Sequence, residues 1–261
     1  MTRWFKLTIA YDGRDFEGWQ RQKTKRTVQL EMEKALGKLL GRPITLLASG
    51  RTDAGVHAIG QVVSFDADTH HSTETIRRAL CHYLPEDIAI LRVQEMAGRF
   101  RSVADSIRKR YRYVLQDGRK RDVFARHYAW HSWRTLDVEA MREAAAALVG
   151  THDFVAFEGS GSRRVGTVRT IFDLTIERLA HQDFGRIHIE IEADGFLYNM
   201  VRNIVGTLVD VGCGRRPVSH AADALASKDR TRAGMTAPPQ GLYLLWVLCR
   251  EPGEILPRQD I

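Results

Sequence analysis

Apolar residues along this chain switch repeatedly between two spacings, every second residue and every third or fourth, and that switching restricts the fold to a mixed α+β class. Residues 4–10 alternate Phe5, Leu7 and Ile9 against polar neighbours, the pattern of a strand with one buried face. Thr27 stands where a helix needs an N-cap, ahead of Val28, Met32, Ala35, Leu36, Leu39 and Leu40 at helical spacing. Gly41 and Pro43 close that helix. Strand-like stretches follow at 45–48, 61–66 and 88–94. Between the last two lies a helix from Ser72 to about Tyr83, with Ile76, Ala79 and Leu80 inward. The order is β-α-β-β-α-β, that of a ferredoxin-like unit.

The second half repeats the theme. RYRYVLQ at 110–116 sets Tyr111, Tyr113 and Leu115 on one face of a strand. Asp137 caps a helix over 137–149 that turns Val138, Met141, Ala145 and Leu148 inward and ends at Gly150. Alternating strands follow at 172–178 and 186–192, then a helix from Asn199 to about Val211, a short helix near 219–227 and a last strand, LYLLWVL. The expectation is an α+β protein of two ferredoxin-like α/β halves, 1–105 and 106–261, around one central antiparallel sheet. The stretch GSGSRR at 159–164 reads as a mobile loop.

Composition narrows function by exclusion. No apolar run approaches the roughly 18 residues that span a bilayer, and no apolar signal-peptide core follows Arg3. Cys81, Cys213 and Cys249 are odd in number and far apart, so neither a disulfide framework nor a zinc knuckle is indicated, and a reducing cytoplasmic location is the default. The histidines show no metal-ligand spacing. A net charge of +7, carried by 31 arginines and 8 lysines against 32 acids, favours an acidic partner without identifying it. The cations cluster at Arg99, Arg101, Arg108, Lys109, Arg110 and Arg112, then at Arg119, Lys120 and Arg121, with a further pair at Arg163 and Arg164. Interleaved with Tyr111 and Tyr113, such clusters suit an RNA-facing surface.

The segment richest in chemistry is Ser49-Gly50-Arg51-Thr52-Asp53-Ala54-Gly55-Val56-His57. Two glycines bracket a guanidinium, a hydroxyl and a carboxylate, so the backbone can turn sharply and admit a ligand closely. Taken alone, the same residues also describe a polar turn with a satisfied aspartate and a buried histidine.

Gly50-Arg51-Thr52-Asp53-Ala54-Gly55-Val56-His57-Ala58 resembles, residue for residue, the catalytic loop of the TruA-type tRNA pseudouridine synthases. The resemblance extends to about Trp246. It takes in Tyr11-Asp12-Gly13, Gly18-Trp19-Gln20-Arg21-Gln22, Thr27-Val28-Gln29, Gly60-Gln61-Val62-Val63-Ser64-Phe65 and Lys109-Arg110-Tyr111-Arg112-Tyr113. Gly150-Thr151-His152-Asp153-Phe154, Thr167-Val168-Arg169-Thr170-Ile171, Met200-Val201-Arg202-Asn203-Ile204-Val205-Gly206 and Gly241-Leu242-Tyr243-Leu244 follow in family order. Two places depart from it: Cys81 stands where the family usually has Asn, and Val103 replaces an arginine.

The resemblance implies a pseudouridine-synthase fold and isomerisation of uridine to pseudouridine in the anticodon stem-loop of tRNA, at positions 38, 39 and 40. It implies no cofactor, no metal and a homodimer that grips tRNA. Asp53 would be the catalytic carboxylate and Arg202 its charge partner. Tyr111 would stack on the target base, and Arg51 would fill the flipped base's place or hold a phosphate. Leu242 reads equally as a base contact or as plain core. His57 is expected to satisfy loop backbone, and His152 and Asp153 to be loop structure near a helix end. A non-catalytic RNA-binding module on the same fold, or a same-fold synthase acting on another RNA, are the alternatives; the presence of Asp53, Arg202 and Tyr111 together weighs against the first.

Overall fold

The computed structural model describes residues 1–161, 166–179 and 184–252. The loop expected at 159–164 therefore lies partly outside the described residues. Among those described, period two builds strands and period 3.6 builds helices, giving an α+β protein with largely antiparallel pairing.

The first unit comprises Met1–Arg108 and the last strand from Leu244 onward. Its strands are β1 (Arg3–Tyr11), β2 (Leu47–Ala48), β3 (His57–Ala67) and β4 (Ile88–Met96). β1 lies between β3 and β4, antiparallel to both, and β2 adds to β3. Phe5 faces Phe65 across the β1–β3 pair with rings 5.0 Å apart and nearly parallel. Phe5, Leu7 and Ile9 are fully buried, each worth about 1.5–3 kcal/mol. β3 starts four residues earlier than its alternation suggests, because β1 is long enough for Tyr11 to pair with Ala58. That extension sets His57 at the root of the Asp53 loop. Helix α1 (Val28–Leu40) is capped by the Thr27 hydroxyl, which accepts from Leu30 N, and α2 (Thr73–Tyr83) by Ser72.

The second unit is Lys109–Tyr243. Its sheet runs β5 (Ser106–Asp117), β9 (Gly185–Ala193), β8 (Val168–Leu179), β7 (Gly150–Asp153), with β6 (Trp130–Ser132) parallel to β5. β6 and β7 are too short to register as alternation; β7 takes in His152 and Asp153, so these are strand residues where a loop was expected. Tyr111, Tyr113 and Leu115 pair with Ile191, Ile189 and Ile187 on a buried face. The opposite face pairs Arg110 with Glu192 and Arg112 with Glu190. Arg110 Nε donates to Glu190 at 2.6 Å and its Nη2 lies 2.8 Å from Asp173, while Arg112 Nε reaches Glu190 at 2.7 Å. The sequence reading placed both arginines on an RNA-facing surface; carboxylates from β8 and β9 neutralise them instead.

Helix α3 (Val138–Ala146) packs on β8 and on α4 (Met200–Gly212), and α5 (His220–Ser227) packs on α3 and α4. α4 is buried nearly all round. A Cβ at Gly206 would sit 1.7 Å from Met235 O, so only glycine lets the 230–238 strap lie flat on the helix. Arg230 ties the strap down through Asn203 Oδ1 at 2.9 Å and Gly234 O at 2.9 Å.

Two measurements test this account. Gly206→Ala must displace backbone, so urea denaturation should show a loss of about 3 kcal/mol; Gly37→Ala, a helical position whose Cβ would meet nothing nearer than 3.5 Å, should instead be neutral or gain up to about 1 kcal/mol. Burial alone would raise the carboxyls of Asp117, Asp122 and Glu190. Arg178, the backbone N–H groups of Phe124 and Ala125 with Arg186, and Arg110 with Arg112, respectively, outweigh it and hold all three below their ordinary values. A depressed carboxyl stabilises above its unfolded pKa and loses that contribution as pH falls through the folded value. The urea midpoint should thus hold from about pH 7 to 5 and drop below about pH 4; a flat midpoint down to pH 3 would refute the role given to these pairs.

Candidate active site

The Asp53 loop is pinned at nearly every residue. Ser49 N donates to Val62 O at 2.9 Å, and its hydroxyl donates to Gln61 Oε1 at 2.7 Å. Gln61 Nε2 returns to Gly50 O at 2.8 Å. Thr52 O accepts from Trp19 N at 3.0 Å, and Gly55 N donates to Phe16 O at 3.3 Å. Asp53 O accepts from Val56 N at 3.2 Å, closing the turn. Gly18 has φ +83°, and a Cβ there would fall 2.7 Å from Thr52 O, so the 16–19 segment lies directly against the loop.

Below the loop, the Tyr11 hydroxyl and Thr52 Oγ1 share a hydrogen bond of 2.8 Å. Burial pushes the Tyr11 hydroxyl up to about 12, against the opposing pull of Thr52 and Gln61, so it stays protonated and neutral. His57 Nδ1 accepts from Gly13 N at 3.1 Å. Asp12 Oδ1 lies 3.1 Å from the same nitrogen. His57 satisfies loop backbone, as its sequence context suggests. With this support underneath, Asp53 is half-buried and Arg51 exposed.

In the second unit, Tyr111 is buried and meets Phe196 edge-on, with ring centroids 5.0 Å apart. Arg202 sits in the first turn of α4. Its Nε donates to Ala237 O at 2.7 Å and its Nη1 to Asn199 Oδ1 at 2.9 Å. Asn199 has φ 58° and does not use its side chain to cap the helix. One residue past Ala237, Pro238 O accepts from the Tyr113 hydroxyl at 2.7 Å. Burial raises that hydroxyl's pKa well above the ordinary tyrosine value, while the Arg202 charge pulls it back. Gly241 lies so near the Tyr113 ring that a Cβ would fall 2.6 Å from it, and Leu242 follows, buried. The strap at 237–242 thus carries oxygens that orient Arg202 and Tyr113.

The family model described as tRNA pseudouridine synthase matches residues 7–99 and 144–248. The chain belongs to the tRNA pseudouridine synthase family. It is 46% identical over 242 residues to tRNA pseudouridine synthase A of Thermoanaerobacter sp. strain X514, covering 93% of this chain and 98% of that protein. The namesake in Syntrophomonas wolfei is also 46% identical, over 94% of this chain and 97% of its own. That of Limosilactobacillus reuteri is 43% identical, over 92% and 94%.

Of the residues singled out in the sequence of this family member, Arg51 and Asp53 share one loop in the first unit, and Tyr111, Arg202 and Leu242 lie in the second. The departures at Cys81 and Val103 are both exposed, Val103 by 58%. Among the described residues, no group of three or more His, Cys, Asp or Glu side chains is placed to hold a metal, and no helix is long and apolar enough to cross a membrane. Sequence reasoning missed Asn199 as a partner of Arg202. The usable signal was an Asn one turn before the arginine, since Asn is the residue after glycine that best tolerates left-handed backbone.

The tether beneath the loop is testable. Tyr11→Phe leaves the buried Thr52 hydroxyl without its partner and should lower stability by about 1–2 kcal/mol. It should also reduce kcat more than it changes KM, because the loop's position and not its chemistry is altered. Stability lost with kcat intact would mean that the tether does not govern the loop.

Proposed function

We propose that the protein isomerises uridine to pseudouridine in the anticodon arm of tRNA, at positions 38, 39 and 40. The observation that carries this reading is a half-buried Asp53 on a loop of the family's catalytic sequence, braced by the Tyr11 hydroxyl and the backbone of residues 16–19. The reaction breaks the N1–C1′ glycosidic bond and forms C5–C1′; C5 loses a proton and N1 gains one. No electrons enter or leave, so neither a redox group nor a metal is needed for the balance. One ionised carboxylate suffices, either by adding to the nucleoside or by taking a proton from the sugar.

In this reading Asp53 is that carboxylate and Arg202 the cation that keeps it ionised. Oxygens on Ala237 and Asn199 fix the guanidinium's direction. Tyr111 supplies an aromatic face for the extruded base, offsetting part of the few kcal/mol that unstacking costs. Leu242 packs the base's other side, and Arg51, exposed on the loop, takes the vacated place in the RNA or a phosphate. A cytoplasmic homodimer gripping one tRNA belongs to the same proposal.

Asp53→Asn keeps the shape of the side chain and removes its charge. Release of tritium from 5-tritiated uridine in tRNA should fall to background, while filter binding of the same tRNA stays within a few-fold of the parent. Turnover near the parent's rate would reject Asp53 as the catalytic carboxylate.

A further inference from the structure

Residues 118–134, most of the connection from β5 to α3, contain five cations and a single acid, Asp122. That acid is not at the surface: Asp122 Oδ1 accepts from Phe124 N at 2.9 Å and from Ala125 N at 3.2 Å, and Oδ2 meets Arg186 at 3.0 Å. Its turn lifts Phe124 outward to 85% exposure, next to Val123 at 55%. Trp133, 64% exposed, follows β6, whose Ser132 O accepts from Gly118 N at 3.1 Å. Trp133 therefore emerges beside Arg119. Arg119, Lys120, Arg121 and Arg126 are exposed along the same stretch. The loop is held, not loose: Gln116 Oε1 accepts from Asp122 N at 3.2 Å, and Arg126 is tied to Val123 O at 2.8 Å.

Two large rings displayed to solvent beside cations that form no ion pair among the described residues are unusual for a surface with no partner. A symmetric contact with a second copy would lay this patch on itself, cation against cation. RNA answers both features, since phosphates take the charges and an unpaired base stacks on an aromatic face. A base within a stem hides its faces by stacking, so the rings require a looped stretch. Position decides which loop. Tyr111 and Asp117, at the end of β5 where the patch begins, lie six residues apart, roughly 20 Å at strand rise, too far for the rings to touch the extruded uridine.

We propose that Phe124 and Trp133, flanked by Arg119, Lys120, Arg121 and Arg126, form a second RNA site that stacks an unpaired base of the same tRNA outside the anticodon arm. This rests on tRNA being the substrate.

The test compares binding of whole tRNA and of an isolated anticodon stem-loop by the full-length protein, at several stated salt concentrations. Phe124→Ala and Trp133→Ala should each weaken whole-tRNA binding about tenfold and leave the salt dependence as in the parent. Arg119→Ala and Arg121→Ala should each lower the salt slope by about one. Binding of the isolated arm should be the same for all variants and parent. Unchanged whole-tRNA affinity in both ring variants would overturn the proposal. Equal losses on whole tRNA and isolated arm would also overturn it, as the patch would then serve the target arm. So would a parent dimer that Phe124→Ala converts to monomer in sedimentation, which would make the rings a contact between copies. A parent that binds no tRNA would refute the substrate reading itself, and this site with it.

Discussion

β5 carries a constraint on both of its faces, and much of the second unit follows from it. A slip of one residue would exchange Tyr111 and Tyr113 with Arg110 and Arg112, burying guanidiniums against Ile187, Ile189 and Ile191. That register is fixed twice over. On one face three isoleucines and two tyrosines exclude water; on the other Glu190 binds two guanidiniums at once. Because a slip would break both sets together, the tyrosines are held in register by three isoleucines and a glutamate of the neighbouring strand. Tyr111 gains its place by this route, and Tyr113 its reach to Pro238 O.

Close backbone contact does comparable work where side chains would be too compliant. Gly18 against Thr52 O, and Gly206 against Met235 O, bring main chain onto main chain. Such contacts have little room to relax, since no rotamer can move out of the way. The first fixes the loop bearing Asp53, the second the strap whose Ala237 O receives Arg202.

The periodic segments were legible in the sequence because their burial is one-sided. Phe5, Leu7 and Ile9 announced β1, and Thr27 and Ser72 announced the two helix starts. The loop around Asp53 was legible from its glycines and its resemblance to the family. What escaped was short or distant. β6 has three residues and β7 four, fewer than alternation needs to show itself. The Glu190 and Glu192 partners of Arg110 lie 80 and 82 residues further along the chain, so a local count of cations does not register them. The left-handed backbone at Asn199 leaves no trace in hydrophobic spacing at all.

That last error points to a more useful division of the arginines than their number. Arg110, Arg112, Arg178 and Arg186 face carboxylates across the sheet or its edges, and their charge is cancelled where it stands. Arg202 and Arg230 are oriented instead by amide, carbonyl and hydroxyl oxygens. Such acceptors fix direction, and partial burial lowers the Arg230 pKa. Both are half-buried and tied to particular atoms of the strap and α4, so these two positions call for a different explanation from the first four. For Arg230 it is the bracing of the strap. Arg202 takes its direction from the same strap through Ala237 O, and from Asn199 Oδ1, so the segment that Arg230 holds against α4 also orients Arg202.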